Sequence, residues 1–368
     1  MITLSAPAKP RNIYKSRPVN YQCQTSVEHK FRNAFNMAFL GIIAGSVYGF
    51  VMKSSVDISL GYVMVASILI GFFLGLCLGI IEEFILFNKF KRKPLYVLLI
   101  IRTLIYAITS FIFLVIIISF SMAFAKDLSF NQGVAEYLSN ELFKIDLIFS
   151  VSVGFVINFI IQINKFFGPG VFFKLLSGKY HTPREEERIF MFVDIKGSTG
   201  MAEKLGDLKF SLLLQDFFYD VNQAIAVSHG EIYQYVGDEV VVSWPLSKIN
   251  FESNCLECFY MMENLIWNKR NHYLKNYQVV PEFKAGIHYG KVIAAWVGDF
   301  KKEIVYHGDV MNTTARILSL CNELEQNLLV SEELYQKMQL PEDVKTSLYS
   351  DILLKGKREP VNLVGFSI

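Results

Sequence analysis

Apolar and polar positions divide this chain into two unlike halves. Between about residues 34 and 165 apolar residues run in long blocks with few charges. From about 188 onward they fall into short runs with alternating or helical spacing. Four long blocks, about 34–52, 61–86, 95–124 and 145–165, can each cross roughly 30 Å of hydrocarbon as a helix. They predict an all-α, four-helix transmembrane domain. Residues 1–33 form a polar, basic tail. That tail, and the length and lateness of the first block, argue against a secretory signal. Residues 166–187 (FFGPGVFFKLLSGKYHTPREEE) read as a coupling linker, broken at Gly168-Pro169-Gly170 and charged from Arg184 to Arg188.

The second half reads as strands and helices in turn. Ile189–Ile195 (IFMFVDI) predicts a buried strand with an acid near its end. Helical spacing follows to about Ser228, and Gly230 stops it. Glu231–Val236 and Glu239–Trp244 predict a hairpin turning at Gly237-Asp238. A helix is expected over about 251–273. Phe283–His288 and Val292–Val297 predict another strand pair around Tyr289-Gly290, and a helix follows over about 309–321. The order β-α-β-β-α-β, with extra elements at the end, predicts an α+β, ferredoxin-like sandwich over 188–368.

Charge adds orientation. The tail carries Lys9, Arg11, Lys15, Arg17, Lys30 and Arg32 against Glu28, and the second connection carries Lys89, Lys91, Arg92 and Lys93. The first and third connections are sparse or mixed. Basic residues stay on the cytoplasmic side. The tail, the 87–94 loop and everything after the fourth span are therefore expected in the cytoplasm, with the chain in the cell membrane. Net charge is only +2, without a basic stripe, so nucleic acid is not an expected partner. Of the five cysteines, Cys255 and Cys258 form a C-x-x-C with no second pair of zinc ligands, which favours two thiols on a buried helix face. Two glycine ladders, Gly41/Gly45/Gly49 and Gly71/Gly75/Gly79, suit close helix approach, within one bundle or between subunits. Glu82, Glu83 and Arg102 lie at similar depth inside spans, as an ion pair or as separate groups reaching toward the headgroups.

The chemistry gathers at two acids. In this fold Asp194, at the end of the first strand, and Asp238, at the hairpin tip, stand side by side at one sheet edge. Two carboxylates there repel unless a cation lies between them. Oxygen ligands, few of them from protein, suit Mg²⁺ or Mn²⁺ carrying substrate phosphates. The turn Gly197-Ser198-Thr199 leads into a helix whose N-terminal N–H groups suit an anion.

With these residues in place a family likeness is plain. Phe192-Val193-Asp194-Ile195-Lys196-Gly197-Ser198-Thr199 resembles the metal-binding signature of class III nucleotidyl cyclases, the adenylyl and guanylyl cyclases, and Val236-Gly237-Asp238-Glu239 resembles their second metal motif. Gly286-Ile287-His288-Tyr289-Gly290, Gly308 to Arg316 (GDVMNTTAR) and Leu354-Lys355-Gly356-Lys357 resemble three further family motifs, in the family's order. The resemblance implies a head-to-tail homodimer with active sites at its interface, a monomer being inactive. One subunit would supply Asp194, Asp238 and the Ile195 carbonyl to two Mg²⁺ or Mn²⁺ ions. The other would supply Asn312 to the ribose, Arg316 to the α-phosphoryl group and Lys355 to the β- and γ-phosphates. The implied reaction is attack of the ribose 3′-OH on the α-phosphorus of ATP, giving 3′,5′-cyclic AMP and pyrophosphate. The base-reading positions depart from the family. Gln234 stands where adenylyl cyclases place Lys and guanylyl cyclases usually Glu, and Val305 stands at the partner position. ATP is the expected substrate, with GTP as the alternative. A catalytically impaired homologue that binds nucleotide for signalling is a reading of a different class.

Overall fold

The computed structural model describes residues 19–52, 60–86, 93–168, 171–246, 254–338, 340 and 344–366. The basic residues before 19, most of the 87–94 connection and Pro169-Gly170 lie outside the described residues. The chain divides into two compact units, one spanning Cys23–Phe172 and the other running from Phe173 onward.

The first unit is helical: α1 (Val19–Met52), α2 (Leu60–Ile80), α3 (Leu95–Lys126), α4 (Phe130–Ser139) and α5 (Glu141–Phe167). A π-helical turn, Ile81–Leu86, continues α2. Four helical segments are long and apolar enough to cross a membrane: Lys30–Met52, Leu60–Leu86, Leu95–Lys126 and Glu141–Phe167. The third connection, expected to be a loop, contains α4.

The two glycine ladders pack against each other within one chain. A Cβ on Gly41 would lie 2.1 Å from the Gly71 carbonyl oxygen, and one on Gly45 would lie 2.2 Å from that of Ser67. Only the missing side chains let α1 and α2 approach this closely. Glu82 and Arg102, both buried, form the ion pair. Glu82 also accepts from the Tyr106 hydroxyl at 3.0 Å and from Lys165 at 3.0 Å. Glu83 takes a different partner, the Asn33 side-chain amide, at 3.2 Å.

The short helix α6 (Val171–Leu176) leads into the second unit, which continues as β1 (Arg184–Ile195), α7 (Ser198–Leu205), α8 (Asp207–Val227), β2 (Glu231–Val236), β3 (Glu239–Pro245), α9 (Asn254–Asn268), α10 (Arg270–Tyr277), β4 (Phe283–Val297), β5 (Glu303–His307), α11 (Asp309–Glu323), β6 (Leu328–Ser331), α12 (Glu332–Tyr335), β7 (Thr346–Ile352) and β8 (Val361–Phe366). The sheet order is β2-β3-β1-β4-β6-β8-β7, with β5 paired to β4. Its first four strands make the ferredoxin-like arrangement, and β6, β8 and β7 extend it.

Alternation along β1 builds two cores. Ile189, Met191 and Val193 face Phe217 and Val221 of α8 and Phe259 of α9. Phe190 and Phe192 face Val310, Ile317 and Leu318 of α11. A period of two makes this division automatic. Cys255 and Cys258 are buried in the α8–α9 core, and burial pushes the Cys258 thiol up to about 12.

Two sequence expectations are corrected. β1 begins at Arg184, so the charged run is strand, paired to Ala294–Gly290 of β4, rather than linker. Arg188, 1% exposed, is the reason that run is ordered. Its guanidinium donates to Glu231 at 2.5 Å, Glu186 at 3.0 Å and Ser243 at 3.0 Å, and lies 4.9 Å from the Tyr306 ring centre. Glu231 also meets Lys174 of α6 at 3.1 Å. The expected strand pair around Tyr289-Gly290 is instead one long strand, β4, paired to β1 through Gly290 without a turn. Gly290 marks close passage of α11: a Cβ there would meet the Val310 Cβ at 3.3 Å.

Gly286 is tighter still, since a Cβ would stand 2.5 Å from the backbone nitrogen of Leu318. Gly286→Val should therefore force α11 off the sheet and cost about 1–3 kcal/mol or more. All three tryptophans lie beyond residue 240, so tryptophan fluorescence in a denaturant titration reads this unit alone. An unchanged midpoint would contradict the packing described.

Candidate active site

The register of β1 against β3 builds the site. Asp194 pairs directly across from Glu239, so their side chains share a face of the sheet. It is the α11 face, because Phe190, Phe192 and Asp194 are spaced two apart and point the same way. Gly237, with φ of 62°, makes the tight β2–β3 turn that brings Asp238 to the same edge. Asp194 and Asp238 are within hydrogen-bonding reach of each other. The Asp194 carboxyl is held above its ordinary range, by burial first and then by the charge and hydrogen bond of Asp238. Glu239 is pushed up to about 7 by burial, with Asp194 and Asp238 adding to it.

One cation partly relieves this crowding. Lys284 of β4, 8% exposed, lies 3.3 Å from Asp194. One Asp238 oxygen is buried without a hydrogen-bond partner. Sequence reading missed both Lys284 and Glu239 as members of the site. The signal was available for Glu239, which directly follows Asp238 at the start of a strand. It was absent for Lys284, a lone basic residue in an apolar run.

The donor set suits a hard divalent cation. Two adjacent carboxylates repel, and one oxygen lacks a partner. Among the described residues no three His, Cys, Asp or Glu side chains converge on a metal position. Protein would thus fill only part of a coordination shell. Ile195, 1% exposed, ends β1 beside Asp194. Gly197, with φ of 64°, starts α7 without a side-chain cap, so the first-turn N–H groups of Ser198, Thr199 and Gly200 stay open.

A second group stands apart in sequence. Asn312 and Arg316 are one turn apart on α11, on one face. Gly356 backs onto the Arg316 guanidinium, with Nη2 3.4 Å from where a Cβ would stand, and Lys355 precedes it, exposed. Lys357 is held by Asp309 at 3.0 Å. Among the described residues no hydrogen bond or ion pair joins this group to Asp194 and Asp238. Gln234 and Val305 flank an aromatic clasp. A bulge in β2 follows Ile232, and Gln234 resumes the ladder opposite Val241. The Tyr233 ring lies 5.0 Å from that of Tyr306, and Val305 precedes Tyr306. His288 is structural: it bonds Ser331 at 2.8 Å, and burial pushes it down to about 4.

Paired acids at a strand end, an open helix N-terminus and an Asn/Arg helix thus stand in one α+β sandwich. The adenylate and guanylate cyclase catalytic domain model matches residues 181–364. The chain belongs to the class III nucleotidyl cyclase family. It is 31% identical over 221 residues to Adenylate cyclase 2 of Rhizobium meliloti (strain 1021), covering 60% of this chain and 61% of that protein, less than two thirds of its length. It is 27% identical over 179 residues to Uridylate cyclase of Gulbenkiania mobilis, covering 44% of this chain and 69% of that one. A solved structure of a bacterial light-regulated adenylyl cyclase aligns with a TM-score of 0.50 at 20% identity, over 62% of this chain and 67% of that one. The last likeness shows the fold.

The acid cluster has a pH signature. Glu239 binds its proton more tightly when folded, at about 7 against 4.5 for an ordinary Glu. Stability from this source is complete below about pH 4.5 and is lost as pH rises through about 7. His288, held down to about 4 from 6.5, works oppositely, its contribution being lost as pH falls. Comparing Glu239→Gln with the parent removes the His288 effect from the difference. Without divalent cations the parent's denaturation midpoint should fall relative to the variant's between about pH 5 and 8. Parallel pH curves would refute the charge crowding.

Proposed function

We propose that this chain is a membrane-anchored adenylate cyclase, converting ATP to 3′,5′-cyclic AMP and pyrophosphate as a head-to-tail homodimer. The observation that carries the reading is the Asp194–Asp238 pair, crowded, with an orphaned oxygen, beside the open N-terminus of α7. The 31% identical relative named Adenylate cyclase 2 supports ATP. The four apolar helices support the anchor. The positive-inside reading of the tail and the 87–94 connection supports a cytoplasmic catalytic half.

Asp194, Asp238 and the Ile195 carbonyl would hold Mg²⁺ or Mn²⁺. Bound there, the ions would lower the pKa of the 3′-OH and neutralise the triphosphate. The α7 N–H groups receive phosphate oxygens. Asn312 fixes the ribose so that its 3′ oxygen stands in line with the α-phosphorus. Arg316 matches phosphoryl oxygens with its planar fork and stabilises charge that grows on them. Lys355, exposed and without an ion-pair partner among the described residues, suits the β- and γ-phosphates. Without a cation, Lys284 at 3.3 Å from Asp194 offsets part of the repulsion between the acids. The separation of the Asp194 and Asn312 groups supports assembly of each site from two subunits.

Gln234 can donate to adenine N1, and its amide can also accept. Initial rates with ATP, GTP and UTP on solubilised protein should be highest with ATP. A preference for GTP would favour the guanylate cyclase reading, and one for UTP would exclude both.

Asp194→Ala and Arg316→Ala should each abolish turnover. Co-expressed in equal amounts, they should recover about a quarter of parental activity, because half the dimers are mixed and each mixed dimer holds one intact site of two. No recovery would mean that a single subunit supplies both residues to each site.

A further inference from the structure

The helical unit contains a cavity that the cyclase chemistry does not use. Among the described residues, α1, α2, α3 and α5 line a cavity of about 110 Å³. Its walls are mostly apolar, including Leu74, Leu78, Leu114, Ile118 and Phe149. Voids on this scale, lined by hydrocarbon, stay dry and accept a molecule of about benzene's size.

One carboxylate lines this cavity. Asp146 of α5 is 5% exposed. Tyr48 of α1 donates to one of its oxygens, and Tyr137 of α4 donates to the other at 2.9 Å. No cation pairs with Asp146 among the described residues. The contrast within the same bundle is direct, for Glu82 is met by both Arg102 and Lys165. An ionised carboxylate offers about four acceptor sites, and the two tyrosines use only two. Isolated charge in an apolar surround is costly, and its retention inside a membrane helix points to a ligand or a pathway.

We propose that this cavity binds a small amphiphilic amine, its ammonium group on Asp146 and its hydrocarbon body between Leu74, Leu114 and Phe149. An anion would be repelled by Asp146. A neutral hydrocarbon would leave the carboxylate unmatched. A metal ion would find one carboxylate and hydroxyls among the cavity-lining side chains, too few charges for a hard cation.

The test uses the full chain in detergent, with benzylamine and the near-isosteric benzyl alcohol as probes. Tryptophan fluorescence reports only the other unit, so binding is followed by calorimetry and by thermal unfolding in circular dichroism. Benzylamine should bind saturably and raise the unfolding temperature, and benzyl alcohol should do neither at equal concentration. Asp146→Asn should weaken benzylamine binding by about tenfold or more, the scale of a lost charge-assisted hydrogen bond. Ser110→Leu, which fills the void from α3 with an apolar side chain, should abolish binding with helical content unchanged, and it decides the matter if Asp146→Asn does not fold. Equal binding of alcohol and amine, unweakened amine binding in either variant, or no saturable amine binding would overturn the proposal.

Discussion

The pairing of β1 with β3 fixes the second unit's chemistry by forcing like charges together. Asp194 cannot leave Glu239, because the next six ladder positions hold the same register. Nor can it turn away, because Val193 and Ile195 on either side are locked in the α8–α9 core. The cores on both faces of the sheet therefore act against the repulsion at its edge. Such local frustration persists only where the surroundings over-determine it, and it collects at functional sites. Lys284 makes the arrangement tolerable without satisfying it, and an Asp238 oxygen remains without a partner.

The Asn312–Arg316 group follows a different logic. Asn312 and Arg316 sit on α11, which is seated on the sheet by the bare backbone of Gly286 and Gly290. Helix position, rather than a turn, sets where those side chains point. The two groups share the α11 side of the sheet, yet among the described residues no bond joins them. A guanidinium paired with the carboxylates would neutralise both, so the charge of each group stays available.

Alternation and turn chemistry made much of this legible in sequence. IFMFVDI fixed the central strand, and Gly237-Asp238 fixed the hairpin. What the sequence hid was long-range. Tyr289-Gly290 looks like a turn until α11 is seen crossing it, and a glycine needed for close passage reads the same as one needed for bending. Arg184–Arg188 looks like solvated linker because its partner Glu231 is 43 residues beyond Arg188. In the helical unit, Glu82 and Arg102 were visible as charges at similar depth, but pairing was a packing question. Asp146 gave no signal, since one acid at the sixth position of α5, near the start of an apolar block, resembles an ordinary residue at a span's polar end.

The buried Arg188 explains how the segments around Gln234 and Val305 are held. Lys174 of α6 grips Glu231, Glu231 grips Arg188, and Arg188 lies over the Tyr306 ring, which meets Tyr233 beside Gln234. Every link is a direct contact within one unit. Removing the guanidinium would strand Glu231 beside a single partial counter-charge and strip the face of Tyr306, and breaking a buried pair costs far more than a surface one. The residue linking the charges is also the one supporting the rings. A shift of α6 would thus bear first on Glu231 and only through Arg188 on the aromatic clasp. This gives the segment that follows the last long apolar helix physical access to Gln234 and Val305, without any contact with the carboxylates at the opposite end of β1.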